Sequence, residues 1–456
     1  MIEGVNLNYV TVRRIEKLFD AIKSYKKAIL YKPNSELAYN NMGAILKDQV
    51  KFQEAVLAYK KAILLKPDYA DAYSNMGVAL KNLNKLDDAL EAFKKSISLK
   101  PDSELYHNNI GNTLKDLGKL NEAIQAYKKA ISLKPDFATA HKNLSFAYLN
   151  KGDLKKGFEE YQWRWKTTEF LSQKRNFIKP MWDGKQSLSG KRILIWYEQG
   201  IGDTLNWSSC LPFVISRAKH CILECQDKLV PLLTRSFPEA EVKAVDRSRD
   251  KQRDDFDIHL PMGSLYKHFI DEIIENDKPD AHLVPDPDRV NYWRDRLNSL
   301  GKGPYIGISW KSSNMSVERL PNYSSISEWS EILSIPNVTF INLQSKDFED
   351  DLSKVREELG VTVHNFDDLD HWNNIDDVTA LCAALDMVIT PKITVIYMSA
   401  GVGTPTKVIS CKQSSWNTIV NNPVGPSIDI YMRNTWEKWD NVFKLINEDV
   451  VKFILD

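Results

Sequence analysis

Several things are missing from this 456-residue chain, and each absence removes a class of protein. No run of 18 apolar residues occurs, so no membrane-crossing helix is expected. The first residues, MIEGVNLNYVTVRR, lack the charged-then-apolar layout of a secretory leader, and a cytoplasmic protein is expected. Cysteine is scarce: Cys210, Cys221, Cys225, Cys382 and Cys411 lie mostly within apolar runs. Cys221 and Cys225 would stand some 13 Å apart on a strand, at about 3.3 Å per residue, which is no zinc spacing. Buried free thiols are the expectation. There is no G-x-G-x-x-G, no P-loop, no H-E-x-x-H and no placeable Ser-His-Asp set. His259, His268, His282, His364 and His371 are scattered and read as ordinary surface or core residues.

Net charge is also absent: 61 Lys+Arg balance 61 Asp+Glu. The balance is uneven along the chain, however. Residues 1–166 carry 28 basic and 19 acidic side chains, and the remainder carries 33 and 42. The excess lysines recur at a fixed period (Lys60-Lys61, Lys94-Lys95, Lys128-Lys129), which reads as a solvated face. No basic patch interleaved with aromatics suggests nucleic acid.

What is present in the first third is repetition. YKKAILYKP ends at Pro33, YKKAILLKP at Pro67, FKKSISLKP at Pro101 and YKKAISLKP at Pro135, 34 residues apart each time. Gly43, Gly77 and Gly111 fall in the first helix of each unit, and Ala55, Ala89 and Ala123 in the second. Small residues at those places let two helices approach closely, and the prolines stop the second helix. The region looks like tetratricopeptide repeats: a partial repeat ending near Tyr31, then four full ones over 35–166. The last departs from the pattern, with Ser145 at the glycine position and YQWRW closing its second helix, which reads as a docking surface for the next domain. Asn41, Asn75, Asn109 and Asn143 recur at the repeat period. They form either an amide ladder for an extended peptide of a protein partner or a residue simply common at that place.

Beyond a linker over 167–190, containing PMWDG and SLSG, apolar strand-length runs alternate with helical segments. Strands are expected at 193–197, 220–225, 241–245 and 256–260, then at 305–310, 338–343, 361–365, 386–389 and 406–410. The fold class is thus a helical repeat solenoid followed by a pair of Rossmann-like α/β halves, 191–290 and 291–435. A final helix, 436–456, is expected to pack back across their join.

Three loop segments stand out. EQGIGDT (198–204) follows the first strand and supplies Glu198, Gln199, Gly200, Gly202, Asp203 and Thr204. Asp203 there is either a helix cap or a catalytic carboxylate. ISWKSSNMSVERLPN (308–322) gathers Lys311, Ser312, Ser313, Asn314 and Arg319, a loop suited to phosphate or otherwise an ordinary polar loop. LDMVITPKITVIYMSAGVGTPTKVIS (385–410) adds Lys392, Thr394, Tyr397, Gly401 and Gly403.

Taken in order, YQWRW, MWDG, WYEQGIGDT and the strand–loop–G-x-P segment resemble bacterial proteins that fuse tetratricopeptide repeats to a glycosyltransferase domain similar to the lipopolysaccharide heptosyltransferases. The resemblance implies a GT-B fold, with the 191–290 half on the acceptor side and the other half holding a nucleotide-sugar donor. It implies inversion at the anomeric carbon, no catalytic metal, and no cofactor beyond the nucleotide-sugar co-substrate. It places Asp203 as general base, with Glu198 as a second candidate, and the acceptor is a protein or glycan hydroxyl. Donor contacts would come from Lys311, Ser312, Ser313, Asn314, Arg319, Lys392, Thr394, Tyr397, Gly401 and Gly403. The sequence departs from the family where the third segment should read Asp-Thr and then His: Lys392, Ile393 and Tyr397 stand there. Either Lys392 replaces the lost groups with a cation, or the domain is a degenerate scaffold whose repeats do the work.

Overall fold

The 34-residue period becomes paired helices in the computed structural model. It describes residues 9–171, 173–248, 250–275, 281–312, 315, 319–411, 428–434 and 437–455, with side chains from Asp20 onward. The chain divides into two compact units, Met1–Lys151 and Gly152–Asp456.

The first unit runs through helices Tyr9–Tyr31, Glu36–Asp48, Phe52–Leu65, Ala70–Asn82, Leu86–Leu99, Glu104–Asp116, Leu120–Leu133 and Ala138–Lys151. The repeated small residues do what their spacing predicts. A Cβ on Gly43 would sit 2.7 Å from the Tyr59 ring, on Gly77 2.8 Å from Phe93, and on Gly111 2.6 Å from Tyr127. Only glycine admits an aromatic ring that close. Ala55, Ala89 and Ala123 are fully buried beside those rings. The paired lysines are all exposed, as a solvated face requires.

The second unit begins earlier than the sequence suggests. The helix Leu154–Glu160 and the 3-10 turn Tyr161–Lys166 fall in it, although the repeat pattern assigns them to the last repeat. Phe158 stacks on Tyr266 at 4.7 Å, so the aromatic weight of this segment is used inside the α/β unit. The 167–190 stretch is likewise built in rather than a free linker. Trp182 is buried, its backbone N–H donates to the His259 carbonyl at 2.9 Å, and Met181 bridges His259 in parallel.

Two parallel sheets follow. Strands β1 (Arg192–Trp196), β2 (His220–Cys225), β3 (Ala240–Ala244) and β4 (Ile258–Pro261) stand in the order β3-β2-β1-β4. Strands β5 (Tyr305–Ile308), β6 (Thr339–Asn342), β7 (Val363–His364), β8 (Met387–Pro391), β9 (Thr406–Cys411) and β10 (Ile428–Arg433) stand in the order β10-β9-β8-β5-β6-β7. Every pairing is parallel. The central strands are buried along nearly their whole length, which explains their unbroken apolar runs. β10 was not expected, although IDIYMR shows the alternation of an edge strand. The final helix, Asp440–Leu455, does not cross the join between the sheets. Val442, Phe443, Ile446 and Val450 bury against Trp329, Ile332 and Ile409 of the second half. All five cysteines are free and buried.

Candidate functional site

In open parallel sheets, ligands bind beyond the carboxyl ends of the strands, where the strand order reverses direction. The first sheet reverses between β1 and β4, and the second between β5 and β8. The loops leaving β1, β5 and β8 are the three segments the sequence singles out. They meet around a cavity of about 230 Å³ lined by Ile201 from the first half and, from the second, by Lys311, Ser312, Arg319, His371, Trp372, Thr394 and a floor of Leu343, Ile375, Val378, Val395 and Met398. The helix Ile201–Ser208 packs on the helix Thr394–Gly401. A Cβ at Gly202 would lie 3.1 Å from Thr394 Oγ1 and 3.3 Å from Tyr397, so glycine permits this close crossing.

Asp203 occupies the third position of the first of these helices. Its Oδ2 accepts the Gly200 N–H at 3.1 Å, so it does cap the helix. It is also half-buried, and burial pushes its carboxyl up to about 6; the neighbouring Glu198 charge adds to the rise, while the Gly200 N–H and the Arg319 charge oppose it. A carboxyl group poised there is ionised at neutral pH yet basic enough to take a proton. Capping and catalysis are therefore compatible at this residue.

Glu198 has a different place. Its two oxygens accept from Arg164 Nε at 2.7 Å and Nη2 at 2.6 Å, and Oε1 accepts the Gly263 N–H at 2.9 Å. Both side chains of the pair are fully buried. A carboxylate so engaged cannot also serve as a base, which corrects Glu198 as a catalytic candidate. The same turn holds the loop further on: Gln199, at φ +65°, donates from Nε2 to the Tyr161 hydroxyl at 2.6 Å, and its N–H donates to Gln173 at 2.8 Å. Ser264 accepts from Arg164 at 2.9 Å and donates to Gln162 at 2.7 Å. The segment YQWRW is thus the brace of the Asp203 loop, a role sequence reading missed. The sequence carries no local signal for it, since Arg164 and Glu198 are 34 residues apart. Thr204 is buried, donating to Gln226 and to the Gly200 carbonyl.

The residues expected to contact a donor separate. Ser312, Arg319 and Thr394 line the cleft. Lys311 also lines it, but its Nζ is paired with Asp351 at 2.6 Å, so its charge is already balanced. Ser313 and Asn314 lie outside the described residues. Lys392 offers no ready cation: its Nζ is sealed from solvent with no hydrogen-bond partner among the described residues, and burial holds its pKa well below the ordinary lysine value. Tyr397 packs against Gly202 and the Ile396–Val408 cluster, and burial pushes its phenol up. Gly401 and Gly403 serve packing and turning rather than a ligand. A Cβ on Gly401 would meet Leu283 at 2.4 Å, and Gly403 has φ +87°. Among the described residues no group of three His, Cys, Asp or Glu side chains comes together as a metal site would require.

In the first unit the periodic asparagines reach back one repeat. Asn75 donates to Asn40 at 3.1 Å, Asn109 to Ser74 at 3.5 Å, and Asn143 to Asn108 at 2.9 Å. Asn41 accepts from Asn40 at 3.4 Å. All four are half-buried. One amide proton of each later asparagine is therefore used to join neighbouring repeats.

Comparison with known proteins agrees with the first unit. Models described as TPR repeat match residues 48–84 and 111–152, and one described as tetratricopeptide repeat matches residues 70–103. The N-terminal region of the chain carries tetratricopeptide repeats, a class of protein-interaction module. The chain is homologous to Protein FlbA of Caulobacter vibrioides (strain ATCC 19089 / CIP 103742 / CB 15), at 32% identity over 303 residues. That match covers 62% of this chain and 50% of the relative, so the chain spans about half the length of the curated relative it matches. Among solved structures, MamA is similar at 24% identity and a TM-score of 0.32, covering 37% of this chain and all of that one. YrrB, a TPR protein with an unusual peptide-binding site, is similar at 18% identity and a TM-score of 0.30, covering 33% and 78%.

Proposed function

We propose that this protein is a glycosyltransferase that moves a sugar from a nucleotide-sugar donor to an acceptor hydroxyl, with inversion and without a catalytic metal, while its repeats recruit a protein partner or substrate. The observation that carries the reading is Asp203: a half-buried carboxyl group poised near 6, on a glycine loop beside a cleft between two parallel sheets. In this scheme the acceptor oxygen attacks the anomeric carbon and forms the new C–O bond. The bond from that carbon to the donor phosphate oxygen breaks, the nucleoside diphosphate leaves, and the hydroxyl proton passes to Asp203. Arg319 and the N-terminal N–H groups of the Thr394–Gly401 helix, whose first residue lines the same cavity, would stabilise the leaving charge. Arg164, Glu198 and Tyr161 hold the Asp203 loop in place. The hydrogen-bonding capacity left on the half-buried Asn41, Asn75, Asn109 and Asn143 ladder would serve an extended peptide segment of the partner. The likeness to FlbA gives no chemistry of its own; the reading rests on the cleft.

A second reading, a repeat scaffold with a degenerate transferase domain, is favoured by Lys392 and Tyr397, which stand where the resembled family has Asp and His. Calorimetric titration of the full chain with a panel of nucleotide sugars separates the two. The transferase reading expects saturable binding of one donor. It also expects Asp203→Asn to keep that binding while turnover drops by about 10²–10⁴-fold, the usual worth of a general base. Absence of binding by every nucleotide sugar, from folded protein, would leave the scaffold reading.

A further inference from the structure

One polar residue of the cleft has no use in the scheme above. His371 is 9% exposed and lines the cavity, and neither Nδ1 nor Nε2 meets a partner among the described residues. Other histidines of this unit are engaged: the half-buried His282 meets Ser208 Oγ at 3.0 Å, and the buried His259 accepts the Trp196 indole N–H at 3.2 Å. His371 is held in place by its surroundings rather than by its ring. Its N–H donates to the Leu369 carbonyl, and the adjacent Asp370 accepts the N–H groups of Trp372 and Asn373. Phe348 stands edge-on at 6.4 Å. An imidazole with both nitrogens unpaired is a costly thing to bury, because each has lost water without gaining a partner.

Burial pushes the His371 imidazole down to about 4, so at neutral pH the ring is uncharged and offers one donor and one acceptor. The cavity it lines has an apolar floor that includes Leu343, Ile375 and Val378. The same cavity is also lined by Arg319 and by the hydroxyls of Ser312 and Thr394. A ligand that fits has a flat ring whose edge both donates and accepts, joined to an anionic group. We propose that His371 is the residue that reads the nucleobase edge of the donor, with its ring nitrogens hydrogen-bonding the base between apolar walls while the phosphates lie toward Arg319. This assignment rests on the nucleotide-sugar reading of the cleft and adds to it a specificity residue.

The test uses the full chain, with nucleoside monophosphates (AMP, GMP, CMP, UMP) and inorganic pyrophosphate as probes, titrated calorimetrically and followed by thermal unfolding. His371→Phe keeps the ring shape and removes two unpaired polar atoms. It is expected to melt at a higher temperature than the parent, yet bind the preferred monophosphate at least tenfold more weakly, with pyrophosphate affinity unchanged. His371→Asn, which restores a donor and an acceptor, is expected to recover part of that loss. A folded His371→Phe protein that binds the monophosphate as the parent does overturns the assignment, even if sugar transfer is established. If the parent binds neither a monophosphate nor any nucleotide sugar, the sugar-transfer reading falls, and the assignment falls with it.

Discussion

The repeat unit and the α/β unit are stabilised by opposite means. In the repeats one contact is made again and again, an aromatic ring laid on a glycine: Tyr59 on Gly43, Phe93 on Gly77 and Tyr127 on Gly111. Around the cleft nothing recurs. The Asp203 loop hangs on a single buried ion pair, Arg164 with Glu198, backed by Gln199, Tyr161 and Ser264. Repetition spreads stability over equivalent places, so any one of them matters moderately. A singular buried charge pair concentrates it, because loss of one partner strands the other in a low dielectric.

The sharpest way to break this contrast is at that pair. Arg164→Met is expected to destabilise the α/β unit by about 3–5 kcal/mol in denaturant unfolding, since Glu198 is left buried and unpaired. The double variant Arg164→Met with Glu198→Met is expected to recover most of the loss. A single variant costing under about 1 kcal/mol would show that the pair does not carry the loop. On the repeat side, Gly111→Ala forces a methyl to within 2.6 Å of the Tyr127 ring. It is expected to cost about 1–3 kcal/mol, the range for overpacking. An equal cost at Gly43 and Gly77 would confirm that the repeats share the load, and a large difference would refute it.

Asp203 gives a smaller effect with a definite sign. Its folded carboxyl titrates near 6, above an unfolded value of about 3.9. The folded state therefore binds this proton more tightly, and the contribution to stability is full at pH below about 4 and lost as pH rises through 6. After discount for partial solvent access, about 1 kcal/mol of that slope is expected to vanish in Asp203→Asn. Chemical denaturation at pH 4, 6 and 8 measures it; an unchanged slope means the titrating group lies elsewhere.

The same contrast explains what could be read in advance. The 34-residue period, the glycine and alanine positions and the exposed lysine pairs were legible because each appears several times, so chance is easily discounted. The strands were legible as apolar runs, since the sheets are parallel and covered on both faces. The singular features were not. Arg164 looked like part of a docking surface, because no local pattern says that an arginine will meet Glu198. His371 looked ordinary, since whether an imidazole has a partner is decided by residues distant in sequence. Lys392 was a plausible cation until its amine proved sealed from solvent. Gly401 and Gly403 sat in a segment resembling a donor site, but Leu283 and a left-handed turn account for them.

Repetition also exposes its own exceptions, and the smallest prediction comes from one. The turn between the paired helices needs a left-handed residue: Gly118 has φ +75°, Asn84 has φ +59°, and at the equivalent place Val50 has φ +63°. A β-branched side chain clashes with its own backbone there, at a cost of roughly 1–2 kcal/mol, whereas Asn tolerates the region. Val50 is 65% exposed, so little packing is lost on replacing it. Val50→Asn is therefore expected to stabilise the repeat unit by about 0.5–1 kcal/mol, read as a higher urea midpoint at unchanged slope. Because the gain comes from removing a local departure from the repeat, the same change at Gly118 should give no gain. A destabilised Val50→Asn protein would mean that the exposed valine makes a contact the first unit needs, and that this turn is not equivalent to its counterparts.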